Sequence, residues 1–98
     1  MIINTAEIIM PQVTITIQNK LGLHARAANK LVDITTQFSS VVSIEYNSKS
    51  IDGKSIMSVM LLAAAKGSEL IITTEGRDET EAMNAITQLI NNLFDEGE

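Results

Sequence analysis

The spacing of apolar residues changes repeatedly along the chain between the two-residue period of a strand and the three- or four-residue period of a helix. Val13, Ile15 and Ile17 alternate with polar residues, which predicts a first strand. Gly22 ends the strand pattern, and from Ala25 to about Phe38 the apolar residues follow a helical period, so the first helix is predicted to begin just after His24. Because strands and amphipathic helices each bury one face, this alternation favours folds in which helices cover a sheet.

A β-hairpin and a short helix are predicted in the middle of the chain. Apolar and polar residues alternate up to Tyr46, and a polar turn leads to a second run centred on Ile51. Ser55 then opens a short apolar helix, with its hydroxyl as the expected N-cap. Lys66 and Gly67 predict the end of that helix, since a basic last turn and a glycine are typical of helix C termini.

A strand and a helix complete the order strand, helix, strand, strand, helix, strand, helix. The strand is predicted from Leu70 to Thr74, and Asp78 with Glu81 resembles a capping box at the start of the last helix, whose apolar stripe extends to Leu93. The acidic residues that follow are expected to form a solvated, frayed terminus. Strands of this alternating kind have one face covered and one in water, so the order predicts an α+β open-faced sandwich.

The composition limits the function classes. Ninety-eight residues, of which 45% are hydrophobic, fit one domain, which we assign to residues 11–98 after an N-terminal extension, 1–10. The net charge of −5 argues against a general nucleic-acid binder. The chain has no cysteine and one histidine, so neither a disulfide framework nor a metal cluster is expected. The extension is too short for a signal peptide or a membrane span, which favours a cytoplasmic protein without membrane contact.

His24, the only histidine, lies between a glycine-containing turn and a predicted helix start. The amides of Ala25, Arg26 and Ala27 would lack intrahelical partners there, and the helix dipole is positive. A phosphoryl group on the imidazole could accept hydrogen bonds from these amides and pair with Arg26. A lone histidine is more often a surface or capping residue, and the same helix end could bind sulfate or a carboxylate, so the residues alone leave the alternatives open.

Three stretches, GLHARAA, GKSIMSVMLLAAAKGSEL and EGRDETEAM, resemble the histidine-containing phosphocarrier family HPr in order and spacing, and the similarity runs from about Val13 to Glu96. The resemblance implies the order βαββαβα, with four antiparallel strands covered on one face by three helices. It also implies that phosphorylated Enzyme I, supplied by phosphoenolpyruvate, transfers a phosphoryl group to Nδ1 of His24. His24 would pass the group to an EIIA-type protein, with Arg26 stabilising charge. The carrier would be a monomer that holds no cofactor and no metal.

The segments NKLGLHAR and LLAAAKG look most like the NPr type, which belongs to the nitrogen branch of the phosphotransferase system, although the sugar branch stays open. One residue departs from the family pattern: most relatives have a proline where this chain has Ala27. Alanine adds an N–H donor and loses the fixed φ of proline, so we expect a slightly looser site.

Ser55 has a second interpretation beside its expected capping role. In the HPr family the serine of the GKS motif receives a regulatory phosphate from a dedicated kinase, HPr kinase/phosphorylase. The resemblance therefore implies that Ser55 is a regulatory site. Both roles are compatible, because a phosphate is tolerated at a helix N terminus and would add negative charge to a docking face.

A docking surface is predicted beside His24. Five of the six residues from 56 to 61 are apolar, which is too many for one buried stripe, so part of the short helix should stay exposed. Arg26 and Lys30 would add to a basic rim, whereas seven of the twelve acidic residues lie in positions 75–98. The predicted docking residues are Lys20, Leu23, Lys54, Ile56, Met57 and Met60.

Two other functions compete with a phosphocarrier. One is a regulatory HPr-like binding module that acts through Ser55 or protein docking, which the presence of His24 and Arg26 disfavours. The other is a general α+β interaction domain with an incidental histidine. The chain has no paired carboxylates, Ser-His-Asp set or nucleotide-binding loop, so a phosphoryl-transfer intermediate is favoured over an independent enzyme.

Overall fold

Strands and helices follow one another in the predicted order. The computed structural model describes residues 11–97, so the predicted extension 1–10 lies outside the described residues. The elements are β1 (Gln12–Thr16), α1 (Ala25–Thr35), β2 (Val41–Tyr46), β3 (Lys49–Asp52), α2 (Ile56–Leu61), β4 (Glu69–Glu75) and α3 (Glu79–Asn91). A single 3-10 turn, here called the C-terminal turn (Leu93–Asp95), follows α3.

The four strands form one antiparallel sheet in the order β1-β4-β2-β3. The register places Ile72 beside Ile44 on β2 and beside Val13 on β1. Ile44 and Ile72 are buried under the helices, whereas Ser43 and Ile71, which point to the other face, are partly exposed. The predicted α+β open-faced sandwich, with four antiparallel strands and three helices, is therefore confirmed.

The core forms between the inner face of the sheet and one stripe of each helix. Leu31 of α1 and Ile86 of α3 are fully buried in it, as the helical periods predict. Phe94, which follows α3, is also fully buried, and burying a side chain of this size stabilises the fold by about 1.5–3 kcal/mol. The aromatic side chain therefore attaches the end of the chain to the core.

The short helix α2 ends earlier than predicted. Its last residue is Leu61, and Ala63 has the left-handed φ of 52° that closes a helix C terminus. Gly67 instead lies in the turn before β4, where its N–H donates to the carbonyl of Ile17 at 2.8 Å. The prediction that α2 ends at Lys66 and Gly67 is therefore wrong. The chain leaves the helix after Leu61, and Gly67 bonds to Ile17, the residue after β1.

The two long helices are also shorter than their apolar stripes. Helix α1 ends at Thr35, whose hydroxyl donates to the carbonyl of Gly53 at 2.8 Å, before the predicted limit at Phe38. Helix α3 ends at Asn91, because Leu93 has a positive φ of 57° and starts the C-terminal turn.

Asp78 does not cap the helix that it precedes. Its carboxylate accepts hydrogen bonds from the backbone N–H groups of Ser39 at 2.9 Å and Ser40 at 3.0 Å, and from the hydroxyl of Ser40. The predicted capping box with Glu81 is therefore wrong, and Glu79 accepts from the N–H of Gly76 at 2.9 Å instead. Asp78 joins the start of α3 to the loop between α1 and β2.

We expect Asp78 to make the stability of the fold depend on acid pH. The hydrogen bonds from Ser40 and Ser39 lower the pKa of Asp78 from 3.8 to about 2, against the opposing effect of burial. The folded state therefore binds fewer protons than the unfolded state, so this stabilisation is present above pH 3.8 and is lost as the pH falls towards 2. Urea unfolding from pH 2 to 6 should show a steeper acid loss for the wild type than for Asp78→Asn. Parallel curves would contradict this role of Asp78.

Candidate functional site

The loop before α1 is held against the loop after α2 by close backbone contact. Gly22 has a left-handed φ of +66°, and a Cβ atom placed on it would lie 2.5 Å from the carbonyl oxygen of Ala64. The N–H of Leu23 donates to the same carbonyl at 2.9 Å. The side chain of Leu23 is buried in the core, so the next residue, His24, has a fixed starting point.

His24 is the N-cap residue of α1. Its backbone is extended, with φ −72° and ψ 177°, and the first amide to bond within the helix is that of Ala28, which donates to the carbonyl of His24 at 2.8 Å. The side chain of His24 makes no capping hydrogen bond at this helix end. The amides of Ala25, Arg26 and Ala27 are therefore without intrahelical partners, as predicted, and their N–H groups together with the helix dipole favour an anion.

The imidazole of His24 contacts the acidic C-terminal segment. Its Nε2 forms a hydrogen bond with the carboxylate of Glu96, which also accepts from the Nδ2 amide of Asn19 at 3.1 Å. Asn19 is fully buried, and its Nδ2 donates to the carbonyl of Gly22 at 2.8 Å as well. The expectation of a solvated terminus is thus wrong for Glu96, which lies against the site.

The contact with Glu96 favours one tautomer of the His24 imidazole. Burial raises the pKa of Glu96, but the hydrogen bonds from Asn19 and His24 and the charges of His24 and Lys30 outweigh it, so the pKa is lowered. An ionised Glu96 can only accept, so in the neutral ring this contact favours the tautomer with the proton on Nε2. In the neutral ring Nδ1 then carries the lone pair, which is the arrangement that a nucleophilic nitrogen requires.

An open pocket of about 640 Å³ lies beside the imidazole. The ring is 28% exposed, so a donor group on another molecule can reach it. Arg26 is exposed and lines this pocket, on the same helix turn as His24. The pocket is lined by Leu21, His24, Ala25, Arg26, Lys30, Asp95 and Glu96. The structure thus brings together the two residues that the sequence singled out.

The predicted docking residues divide between surface and core. Lys20 and Met60 are exposed, and Met57 is 63% exposed on α2, which packs against α1. The prediction that α2 keeps an apolar face in solvent is therefore confirmed. Ile56 is half-buried against the core. Lys54 is also half-buried, and its Nζ donates to the carbonyl of Phe38 at 2.7 Å.

Leu23 does not belong to an accessible docking surface. Only 5% of it is exposed, because it faces the core from the loop that carries His24. Within residues 11–97, three exposed large apolar residues were not among the predicted docking residues: Leu21 at 65%, Leu61 at 67% and Val41 at 59%.

Ser55 caps α2 as predicted. Its Oγ accepts a hydrogen bond from the N–H of Ser58 at 3.3 Å, and the side chain is half-buried. The hydroxyl lies at the start of α2, in the segment that follows β3.

None of the helices in residues 11–97 combines the length and the apolar character that crossing a membrane requires.

Comparison with known proteins identifies the family. The family model described as "PTS HPr component phosphorylation site" matches residues 11–92. The phosphocarrier protein HPr of Pseudomonas aeruginosa is 57% identical over 90 residues, covering 91% of this chain and all of that protein. The phosphocarrier protein HPr of Neisseria meningitidis serogroup A is 54% identical over 85 residues, covering 87% of this chain and 96% of that protein.

A solved structure agrees with these sequence matches. The crystal structure of HPr from Thermoanaerobacter tengcongensis superposes with a TM-score of 0.86 at 42% identity, covering 89% of this chain and 98% of that one. This chain therefore belongs to the HPr family of phosphocarrier proteins.

Proposed function

We propose that the protein carries a phosphoryl group on His24 in the phosphotransferase system, receiving it from Enzyme I and donating it to an EIIA-type protein. One observation carries the proposal: Nε2 of His24 contacts the carboxylate of Glu96 at the start of α1, which favours the tautomer with the lone pair on Nδ1. Family membership supports the same function, because the named relatives are phosphocarrier proteins.

The transfer step follows from this geometry. The Nδ1 lone pair of His24 attacks phosphorus, a P–N bond forms, and the bond between phosphorus and the donor group on Enzyme I breaks with its electron pair leaving on that group. The ring then carries positive charge, which the carboxylate of Glu96 offsets through the Nε2 proton. Arg26 and the free amides of α1 receive the negative phosphoryl oxygens. Transfer to the EIIA-type protein runs the same step in reverse, and no cofactor is needed.

The partners would dock on the exposed residues that surround the pocket. Arg26 and Leu21 line the pocket and would supply charge and apolar contact. The exposed Lys20, and Met57 and Met60 of α2, which packs against α1, would extend this surface. Because charged rims mainly raise association rates, we expect docking with an acidic partner surface to weaken as salt increases. We assign the protein to the cytoplasm as a monomer, and the NPr-like motifs favour the nitrogen branch.

Ser55 is the proposed regulatory site. A phosphate added by HPr kinase/phosphorylase would keep acceptor oxygens for the amide of Ser58 and would add about two negative charges beside the docking face. Docking with an acidic partner would then be opposed by charge repulsion.

The experiment that tests the proposed function incubates the wild-type protein with Enzyme I and phosphoenolpyruvate. We expect one phosphoryl group that is labile in acid and stable in base, as a phosphohistidine is. Addition of a sugar-branch or a nitrogen-branch EIIA protein should discharge the carrier, and the faster acceptor identifies the branch. The absence of phosphate, or an acid-stable phosphate, would contradict the proposal.

A further inference from the structure

The C-terminal turn has an unfavourable backbone. Leu93, Phe94 and Asp95 have φ values of 57°, 52° and 63°, three left-handed non-glycine residues in succession. Residues other than glycine adopt this region at a cost, and such a run persists only where surrounding contacts fix it. The contacts that hold this turn must therefore offset the cost of its backbone conformation.

Two contacts hold the turn at Phe94. Its side chain is fully buried in the core, and its carbonyl oxygen accepts a hydrogen bond from Nζ of Lys30 at 2.8 Å. Lys30 lies on α1, the helix that begins after His24. The residue that the turn delivers to His24 is Glu96, two positions after Phe94.

We propose that Lys30 is a positioning residue of the carrier reaction, which fixes the C-terminal turn so that Glu96 holds the Nε2 proton of His24. The inference rests on the proposed function, since it concerns the nucleophilic nitrogen of the same ring. Helix α1 thereby contains Lys30, and its N-cap residue His24 carries the imidazole that Glu96 orients.

The role of Lys30 goes beyond its charge in the pocket. Without its donor, the Phe94 carbonyl loses its hydrogen bond, so that of the two contacts at Phe94 only the buried side chain remains. Asn19 still donates to Glu96, so the loss of position is partial. Glu96 then leaves Nε2 for part of the time, and the neutral ring also populates the tautomer with the proton on Nδ1. That tautomer has no lone pair on the accepting nitrogen, so the rate of phosphorylation falls.

Three variants test Lys30. Lys30→Met keeps the length of the side chain and removes the donor, Lys30→Arg restores a donor, and Lys49→Met on β3 removes the same charge away from the site. Nitrogen-15 NMR of the free protein reports the His24 tautomer, and the initial rate with Enzyme I and phosphoenolpyruvate reports the reaction. We expect Lys30→Met to lower the population with the proton on Nε2 and to slow phosphorylation about 10-fold, the effect typical of losing an orienting partner.

The controls separate positioning from other roles. Lys30→Arg should restore both readouts to within about 2-fold of the wild type, and Lys49→Met should leave the tautomer unchanged. A slower rate in Lys30→Met with an unchanged tautomer would mean that Lys30 acts only in docking, and would overturn the inference. So would a rate and a tautomer that both match the wild type.

The tautomer measurement needs no Enzyme I, so the two proposals fail separately. If the wild type accepts no phosphate, the proposed function is wrong, while the NMR comparison still shows whether Lys30 holds Glu96 on His24. If the wild type accepts phosphate and Lys30→Met keeps its tautomer, only the role of Lys30 is wrong. Thermal unfolding of Lys30→Met confirms that the compared proteins are folded.

Discussion

Alanine in place of His24 should abolish phosphoryl acceptance and leave the fold intact. The imidazole is the single proposed nucleophile, so we expect the initial rate with Enzyme I and phosphoenolpyruvate to fall by at least about 1,000-fold. The ring is partly exposed and makes no capping bond in α1, so the free energy of unfolding should change by about 1 kcal/mol or less. Radiolabel incorporation and urea unfolding measure the two quantities.

Ser55→Ala is the matched control for this experiment. Like His24, Ser55 lies at a helix start, but it carries a hydroxyl instead of an imidazole. Its replacement by alanine should leave the acid-labile phosphate unchanged while weakening the cap of α2. Acid-labile phosphate that persists in His24→Ala would show that another residue is the acceptor and would contradict the assignment of His24.

Gly22→Ala should destabilise the protein more than any other single glycine substitution in the described loops around the site. A left-handed φ of +66° is unfavourable for alanine by about 1–2 kcal/mol. The new Cβ would also lie 2.5 Å from the backbone oxygen of Ala64, and forced overpacking adds about 1–3 kcal/mol. We expect the free energy of unfolding to fall by about 2–5 kcal/mol in urea titrations, and phosphorylation to slow because the loop that carries His24 must move.

Gly67→Ala separates the two causes. Gly67 also has a positive φ, +93°, but a Cβ atom there would meet nothing within 4 Å. Gly67→Ala therefore has the conformational cost without the collision, and its loss of stability should be clearly smaller than that of Gly22→Ala. Equal losses would contradict the account of the close contact between the two loops.

Local periodicity predicted most of the architecture. The alternation around Ile15 and Ile44 and the helical stripe through Leu31 each depend on neighbouring residues, and all three side chains are buried where the patterns place them. The N-cap role of Ser55 is equally local, and it too is confirmed. The start of α1 directly after His24 followed from the change of period beyond Gly22.

The missed features depend on residues far apart in the sequence. Nothing near Glu96 indicates that its carboxylate reaches His24, because the turn that brings it there is fixed by the burial of Phe94 in the core. Likewise, Asp78 looked like a helix cap, since its competing donors come from a loop 38 and 39 positions earlier. Leu23 looked accessible beside His24, although the direction of its side chain depends on how the two loops meet.

The role of Glu96 can be checked by finding which ring nitrogen of His24 carries the phosphoryl group. Glu96 is proposed to hold the proton on Nε2 and to leave Nδ1 to accept phosphorus. The measurement is NMR of the uniformly nitrogen-15-labelled protein after phosphorylation by Enzyme I, which detects the phosphorus-nitrogen coupling. We expect coupling to Nδ1 of His24, with the proton retained on Nε2. Coupling to Nε2, or phosphate on any residue other than His24, would contradict it.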